Sequence, residues 1–321
     1  MLSVVLILLF GVVMLYFGAE WLVRGSSQLA LSMGIKPLIV GLTVVAMGTS
    51  SPEMMVSVIA AVNHTKDIAL GNIIGSNIAN LALVIGLSAL IRPLPIQQNT
   101  AKKQMPFLLL ASLLFYLLSL DGILDRRDGF VLFLGFVLFI ALMLRKIARD
   151  RSTDKLLASE VKIPKTDKSR RWMHIGLTVA GLLVLVLGST LIVRSATTIA
   201  AALGVSEILI GVTMVAVGTS LPELAISTIG ALRGETDIAV GNAVGSNIFN
   251  TLCVLGIVAL ILPIPVETAI LTFHFPVMLG VTLLFWPICW VGLKINRAEG
   301  VLLLLLYAVF IYFLFNSGIG I

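Results

Sequence analysis

Residues 41–53 (GLTVVAMGTSSPE) return 170 positions later as residues 211–223 (GVTMVAVGTSLPE). Residues 67–80 (DIALGNIIGSNIAN) return at the same offset as residues 237–250 (DIAVGNAVGSNIFN). What the copies keep is Gly, Thr, Ser, Asn, Pro and Glu, while apolar neighbours vary, as at Leu42/Val212, Val44/Met214 and Ala79/Phe249. Both copies sit inside long apolar runs. A duplicated half that keeps polar, helix-breaking residues in apolar surroundings restricts the chain to two repeats around a shared interior site.

The chain has 321 residues, 59% hydrophobic and 12% charged. A soluble fold of that length could not bury so much apolar surface, so the solvent is a bilayer. Backbone groups in lipid must bond within their own segment. The period-two alternation of a barrel is absent, which leaves helices. Hydropathy places ten spans at 2–30, 36–61, 68–91, 104–120, 127–146, 172–201, 206–231, 238–262, 268–292 and 299–317. Several exceed the roughly 20 residues a bilayer needs and are expected to be tilted or broken.

The expected fold is therefore an all-α membrane protein of ten transmembrane helices in two five-helix repeats. Residues 1–146 form the first repeat, 147–171 a basic loop, and 172–321 the second repeat. An odd number of spans per repeat makes the second start on the opposite side of the membrane, so the repeats are inverted. Arg24/Arg194 and Gly34/Gly204 share the offset, whereas the fourth and fifth spans of each half align poorly and read as scaffold.

Charge sets the orientation. Ten of the 22 Lys and Arg residues lie between Arg145 and Arg171. With the N-terminus outside, 18 basic residues fall on the inner side and four outside: Lys66, Arg126, Arg127 and Arg194. Under the positive-inside rule both termini are extracytoplasmic and the 147–171 loop is cytoplasmic. That loop lacks aromatic interleaving and reads as no nucleic-acid site, though it is placed to touch anionic lipid. The first apolar run has no basic n-region and reads as a mature helix. Cys253 and Cys289 fall in apolar stretches and read as core filler.

The motifs carry the chemistry. Pro52 has no amide proton, so it frees the carbonyl of Gly48 and bends the second span. Around that break stand Thr49, Ser50 and Glu53; Thr219, Ser220 and Glu223 surround Pro222 likewise. Hard cations need oxygen ligands, with carboxylates preferred for a divalent ion. An ionised carboxylate deep in a bilayer is costly unless paired, so two of them mark an ion or proton path. Ser76 and Asn80 are four apart and share a helix face, as do Ser246 and Asn250. Gly71, Gly75, Gly241 and Gly245 suit close helix approach.

Each motif residue alone has a plainer reading: a kink at Pro52, helix packing at the Gly/Ser pairs, a hydrogen-bonded core acid at Glu53. Retention of the same polar set in both copies argues against that reading for the set. Other polar residues do read plainly. Glu20 and Arg24 form a local i,i+4 pair, with Thr190 in place of the acid in the other half. Asn72 and Asn242 organise the helix start or bind backbone rather than ions, and Asp67 and Asp237 cap helices. His64, His174 and His274 show no metal-ligand spacing. No Walker A sequence and no Ser–His pair on facing spans is present, so the chain is read as no enzyme. A channel would need a continuous polar stripe rather than two tight clusters.

GTSSPE with GNIIGSNIAN, and GTSLPE with GNAVGSNIFN, resemble the two alpha repeats (41–80 and 211–250) of the cation/calcium exchanger superfamily, in particular prokaryotic sodium/calcium exchangers. The resemblance covers essentially the whole chain. It implies a core of spans 2, 3, 7 and 8, with long spans 1 and 6 sliding across it. It also implies a cation site of Glu53, Glu223, Asn80, Asn250, Thr49, Thr219, Ser50, Ser220, Ser76 and Ser246, with carbonyls of Ala46 and Ala216. The implied activity is antiport of Ca²⁺ against Na⁺ across a bacterial inner or archaeal cell membrane, with the cations and the bilayer as partners and no cofactor or obligatory protein partner. Some exchangers carry Asp at one of the positions held here by Asn80 and Asn250. With Asn at both, two negative charges match one Ca²⁺, and H⁺ becomes the alternative counter-ion.

Overall fold

The computed structural model describes residues 1–62, 66–157, 168–203 and 218–316. Apolar runs become helices: α1 Leu2–Ser32, α2 Pro37–Thr49, α3 Ser51–Val62, α4 Ala69–Ile91, α5 Thr100–Leu118, α6 Arg126–Ala148 and α7 Arg170–Ala202. After 204–217 come α8 Leu221–Arg233, α9 Thr236–Ile261, α10 Ile270–Trp290 and α11 Arg297–Leu314. Among the described residues, eight helices are long and apolar enough to cross a membrane, or nine with α2 and α3 as one bent span. The expected seventh span begins in 204–217, outside the described residues, and α8 is its described part.

Burial sorts the helices into a centre and a rim. In α4 and α9, 78% and 83% of the most apolar stretch is buried within the protein, against 17% in α1, α6 and α11. The rim helices turn large apolar side chains outward: Leu2, Leu6 and Phe10 from α1, and Phe130, Leu134 and Leu138 from α6. A soluble protein hides such residues, whereas lipid solvates them.

The long helices α1 and α7 lie antiparallel and close. A Cβ on Gly18 would collide with the backbone of Leu185, and one on Gly181 with that of Leu22. Gly11 and Gly188 form a second such contact. Small residues seven apart let two backbones approach without side chains between them, which maximises dispersion contacts in lipid. On α9, a Cβ at Gly241 would lie 2.8 Å from the carbonyl oxygen of Leu38, and one at Gly245 2.5 Å from that of Leu42. These two glycines therefore seat α2 against α9. The positions that match Leu38 and Leu42 at the 170 offset, 208 and 212, lie outside the described residues.

Two short antiparallel strand pairs tie the halves together at their ends. Strand β1 (Leu94–Pro95) pairs with β4 (Lys294–Ile295), and β2 (Ile123–Leu124) with β3 (Ile264–Pro265). Leu94 and Ile264 are 170 apart in sequence, yet they sit in different pairs. Helix α5 separates β1 from β2, so the two pairs stand at opposite ends of that helix.

Five widened turns interrupt the helices, at Gly41–Val45, Asn80–Val84, Thr100–Gln104, Phe249–Val254 and Ile270–His274. Such turns carry one extra residue and leave a carbonyl or side chain displaced from the regular ladder, often at functional positions. Asn80 and Asn250 both lie within one. Hydropathy does not reveal them, because it averages over more than one turn and the residues remain helical.

Candidate cation site

Both motif acids stand at the start of a helix. The chain bends by 43° between α2 and α3. Pro52 and Glu53 then occupy the first turn of α3, as Pro222 and Glu223 do in α8. The free N–H groups of a first turn carry partial positive charge, which favours a carboxylate there. The Gly48 carbonyl, which Pro52 has no N–H to bond, accepts the Ser51 hydroxyl at 2.6 Å. Gly48 itself makes room for Leu182 of α7.

The halves converge through reciprocal bonds. Thr49 Oγ1 donates to Asn242 Oδ1 at 2.9 Å, and Thr219 Oγ1 donates to Asn72 Oδ1 at 3.2 Å. Ser76 Oγ donates to Glu53 Oε1 at 3.2 Å, and Ser246 Oγ donates to Glu223 Oε1 at 3.3 Å. Ser50 Oγ reaches across to Glu223 Oε1 at 2.8 Å, while Ser220 and Ser76 hydroxyls meet at 3.0 Å. Thus each acid is tied to the other half through serines: Glu53 through Ser76 to Ser220, and Glu223 directly to Ser50. Glu53, Glu223, Asn80 and Asn250 are all fully buried.

A second polar layer aims the asparagines. Asn80 Nδ2 donates to Asn247 Oδ1 at 3.0 Å, and Asn250 Nδ2 donates to Asn77 Oδ1 at 3.4 Å. Asn247 Nδ2 in turn donates to the Asn77 carbonyl at 2.9 Å, and Asn77 Nδ2 to Thr251 Oγ1 at 2.9 Å. Asn80 and Asn250 each spend the amide donor on this layer, and their Oδ1 atoms accept no hydrogen bond. The sequence reading passed over Asn77 and Asn247. Their signal was present, because both belong to the GSN triplet that the two copies share.

Four buried acceptors then stand without a donor: Glu53 Oε2, Glu223 Oε2, Asn80 Oδ1 and Asn250 Oδ1. They form two pairs related by the 170 offset. An unsatisfied buried acceptor costs about 1–3 kcal/mol, and a charged one more. Four of them in one polar cluster suit a bound cation, whose positive charge would satisfy all four.

Of the sequence-derived residues, Thr49, Ser50, Glu53, Ser76, Asn80, Thr219, Ser220, Glu223, Ser246 and Asn250 belong to this network or its open acceptors. Ala46 departs from expectation. Its carbonyl accepts the Ser50 N–H at 3.0 Å and the Thr49 hydroxyl at 3.3 Å, so it faces its own helix and not an unwound turn. Ala216 lies outside the described residues. Asn72 does bind backbone, through the Glu53 carbonyl at 3.3 Å. Asp237 accepts Gln97 Nε2 at 2.6 Å, a tie between segments where capping was expected. The side chain of Asp67 lies outside the described residues, as does His64.

Glu20 is also richer than a local pair. It meets Arg24 at 2.5 Å and Arg233 of α8 at 2.8 Å. Among the described residues, no group of three or more His, Cys, Asp or Glu gathers as a metal site. The cluster around Glu53 and Glu223 is therefore a two-carboxylate, oxygen-rich site.

Apolar rim, polar centre and a buried two-carboxylate cluster together define an integral, multi-pass membrane protein of the ion-carrier class. Its relatives fit that class. The family model described as sodium/calcium exchanger protein matches residues 3–145 and 173–316. The chain belongs to that family. It is 42% identical to the putative antiporter CaxA of Alkalimonas amylolytica over 320 residues, covering 99% of this chain and 100% of that protein. It is 37% identical to the inner membrane protein YrbG of Escherichia coli (strain K12) over 293 residues, covering 90% of each. A structure of the sodium-calcium exchanger NCX_Mj, soaked with 10 mM Na⁺ and zero Ca²⁺, superposes with a TM-score of 0.83 at 33% identity, covering 97% of this chain and 99% of that one.

Proposed function

We propose that the protein is a secondary antiporter that exchanges Ca²⁺ for Na⁺ at the Glu53/Glu223 site by alternating access. The carrying observation is the set of four donor-less buried oxygens on Glu53, Glu223, Asn80 and Asn250. Ca²⁺ takes about 6–8 oxygen ligands, so these four with a few of the hydroxyls of Thr49, Ser50, Ser76, Thr219, Ser220 and Ser246 would fill its shell. Ala46 stands outside this ligand set. Sodium as counter-ion draws on the exchanger NCX_Mj, whose described soaks concern Na⁺ and Ca²⁺.

Coupling follows from charge. An empty site leaves two carboxylates unpaired in a low-dielectric interior, which opposes any rearrangement that seals them from water. A bound Ca²⁺ cancels both charges, as do two monovalent cations. Only filled states cross readily, so exchange becomes obligatory. Helices α1 and α7, joined along glycines, form a unit able to shift across the fixed site.

The reading includes ten spans in two inverted repeats, 1–146 and 172–321, joined by a cytoplasmic 147–171 loop, with both termini extracytoplasmic. Reciprocal bonds at the 170 offset, and the placement of β1 and its counterpart β3 at opposite ends of α5, support the inversion. The inner-membrane relative supports a plasma-membrane location.

Proton coupling is the second reading. With Asn at both 80 and 250 the site holds two negative charges, which two protons neutralise as well as Ca²⁺ does. Uptake of ⁴⁵Ca²⁺ into proteoliposomes under imposed Na⁺, K⁺ or H⁺ gradients, in turn, tests both. Uptake driven by Na⁺ alone supports the first reading, and uptake driven by H⁺ alone replaces it with the second. No driven uptake under any gradient rejects Ca²⁺ antiport.

A further inference from the structure

A third buried acid stands apart from the cation network. Glu20 sits on α1, the helix that packs along α7, and its charge is met from two helices. Arg24 lies on α1 itself, whereas Arg233 reaches Glu20 from the last turn of α8 at 2.8 Å. Further along α1, the buried Ser27 hydroxyl donates to Glu235 Oε2 at 2.8 Å. Glu235 belongs to the turn between α8 and α9. Gly234 ends α8 at φ +81°, a left-handed conformation that suits glycine. The residues on its two sides, Arg233 and Glu235, both bond to α1.

A shift of α1 would divide these bonds unequally. Arg24 travels with Glu20, so that pair survives. Arg233 and Glu235 stay with α8 and α9, which carry half of the cation site, so their bonds to α1 must part. Glu20 would then keep one cation of two, and a buried anion that loses a partner is destabilised. The other half of the chain does not repeat the arrangement. At the 170 offset Arg24 keeps its charge as Arg194, but Glu20 becomes Thr190, Arg233 becomes Asn63 and Glu235 becomes Thr65. Thr190 is exposed, and its hydroxyl donates to its own helix, at the Val186 carbonyl, at 2.8 Å.

We propose that Glu20–Arg233 and Ser27–Glu235 form a latch that holds α1 to α8 in the conformation described and biases the carrier toward it. The inference rests on the alternating-access reading and adds an unequal resting population to it. In an inverted repeat, the two alternating states exchange the roles of the two halves. A latch built into one half alone therefore stabilises one state and gives the other no equivalent. An ion that drives the change must supply this difference through its own preference for the unlatched state. None of the four latch residues belongs to the Glu53/Glu223 network.

The test is the distance between spin labels at Phe17→Cys on α1 and Leu138→Cys on α6, read by double electron–electron resonance on the full-length protein in lipid nanodiscs. Both positions are exposed, and the native Cys253 and Cys289 are buried away from the label. Helix α6 reports the core, because glycines seat it on α9: a Cβ on Gly129 would lie 2.8 Å from the Gly256 carbonyl oxygen. The latched protein is expected to show one dominant distance. Loss of a hydrogen bond to a charged group shifts a two-state ratio by roughly tenfold or more, so Arg233→Gln should raise a second distance by that factor. Arg24 still neutralises Glu20 in this variant. Ser27→Ala should act in the same direction, and Arg233→Lys should largely restore the original distribution. Thr190→Ala, at the matching position of the other half, should change nothing. An unchanged distribution in Arg233→Gln, even with a lowered thermal midpoint, would mark a structural pair and overturn the proposal. So would an equal change in Thr190→Ala. If Arg233→Gln fails to assemble, Glu20→Gln leaves only exposed cations unpaired and should raise the same second distance; no change there rejects the latch. The measurement needs no ion gradient. A shift in distance without driven ⁴⁵Ca²⁺ uptake would keep the latch and reject the antiport reading.

Discussion

Ser50 Oγ donates a 2.8 Å hydrogen bond to Oε1 of Glu223, the acid of the opposite half. The counterpart bond does not mirror it: Ser220 meets Ser76 at 3.0 Å. The site is thus reciprocal in composition but not in bonding.

Removal of that hydroxyl should therefore be unequal in effect. A hydrogen bond to a charged group contributes about 1.5–3 kcal/mol. Ser50→Ala should weaken Ca²⁺ binding by roughly tenfold or more, and Ser220→Ala by less. Calorimetric titration of the two variants with Ca²⁺ decides it, and equal losses would contradict the asymmetry.

Glu53→Gln and Glu223→Gln each remove one of the two charges that a divalent cation must balance. Either should abolish ⁴⁵Ca²⁺ flux in proteoliposomes while the protein still folds, because a buried carboxylate becomes a neutral amide of similar shape. Near wild-type flux in either variant would reject the role assigned to that acid.

Asn247 fixes the Asn80 amide so that its oxygen remains free. Loss of such a supporting bond typically costs 10–100-fold in metal affinity. Asn247→Leu should raise the Ca²⁺ concentration for half-maximal uptake by roughly that factor and leave helix content, read by circular dichroism, unchanged. An unaltered half-maximal concentration would remove Asn247 from the site.

Glu20 is buried, whereas Arg24 and Arg233 have side chains 56% and 42% exposed. Losing the acid strands two cations that water can still reach. Losing both cations strands a buried anion, which is the costlier defect. Arg24→Gln/Arg233→Gln should therefore lower the thermal midpoint in detergent more than Glu20→Gln does. The reverse order would show that Glu20 has water access in the membrane.

Asn250→Asp adds a third carboxylate. One Ca²⁺ then leaves a charge of −1, so occlusion needs one further monovalent cation. Reversal potentials across proteoliposome membranes should shift as though one more monovalent cation were coupled per Ca²⁺. An unchanged reversal potential would show that the new acid is protonated or faces away from the ion.

Sequence alone determined that the chain is helical and membrane-embedded, because no other solvent accepts these apolar runs and no other regular structure satisfies their backbone. It also marked the acids and most of their partners, because duplication preserved Glu, Ser, Thr and Asn while apolar neighbours drifted. Tertiary structure decided the rest. The Ala46 carbonyl turned inward because the bend falls at Ser50, four residues later, and leaves its helical bond intact. Asn77 and Asn247 joined the site because only folding brings the two GSN segments face to face. The Glu20–Arg233 pair spans 213 positions. Local periodicity does not record it, since it arises from a contact between segments far apart in the chain.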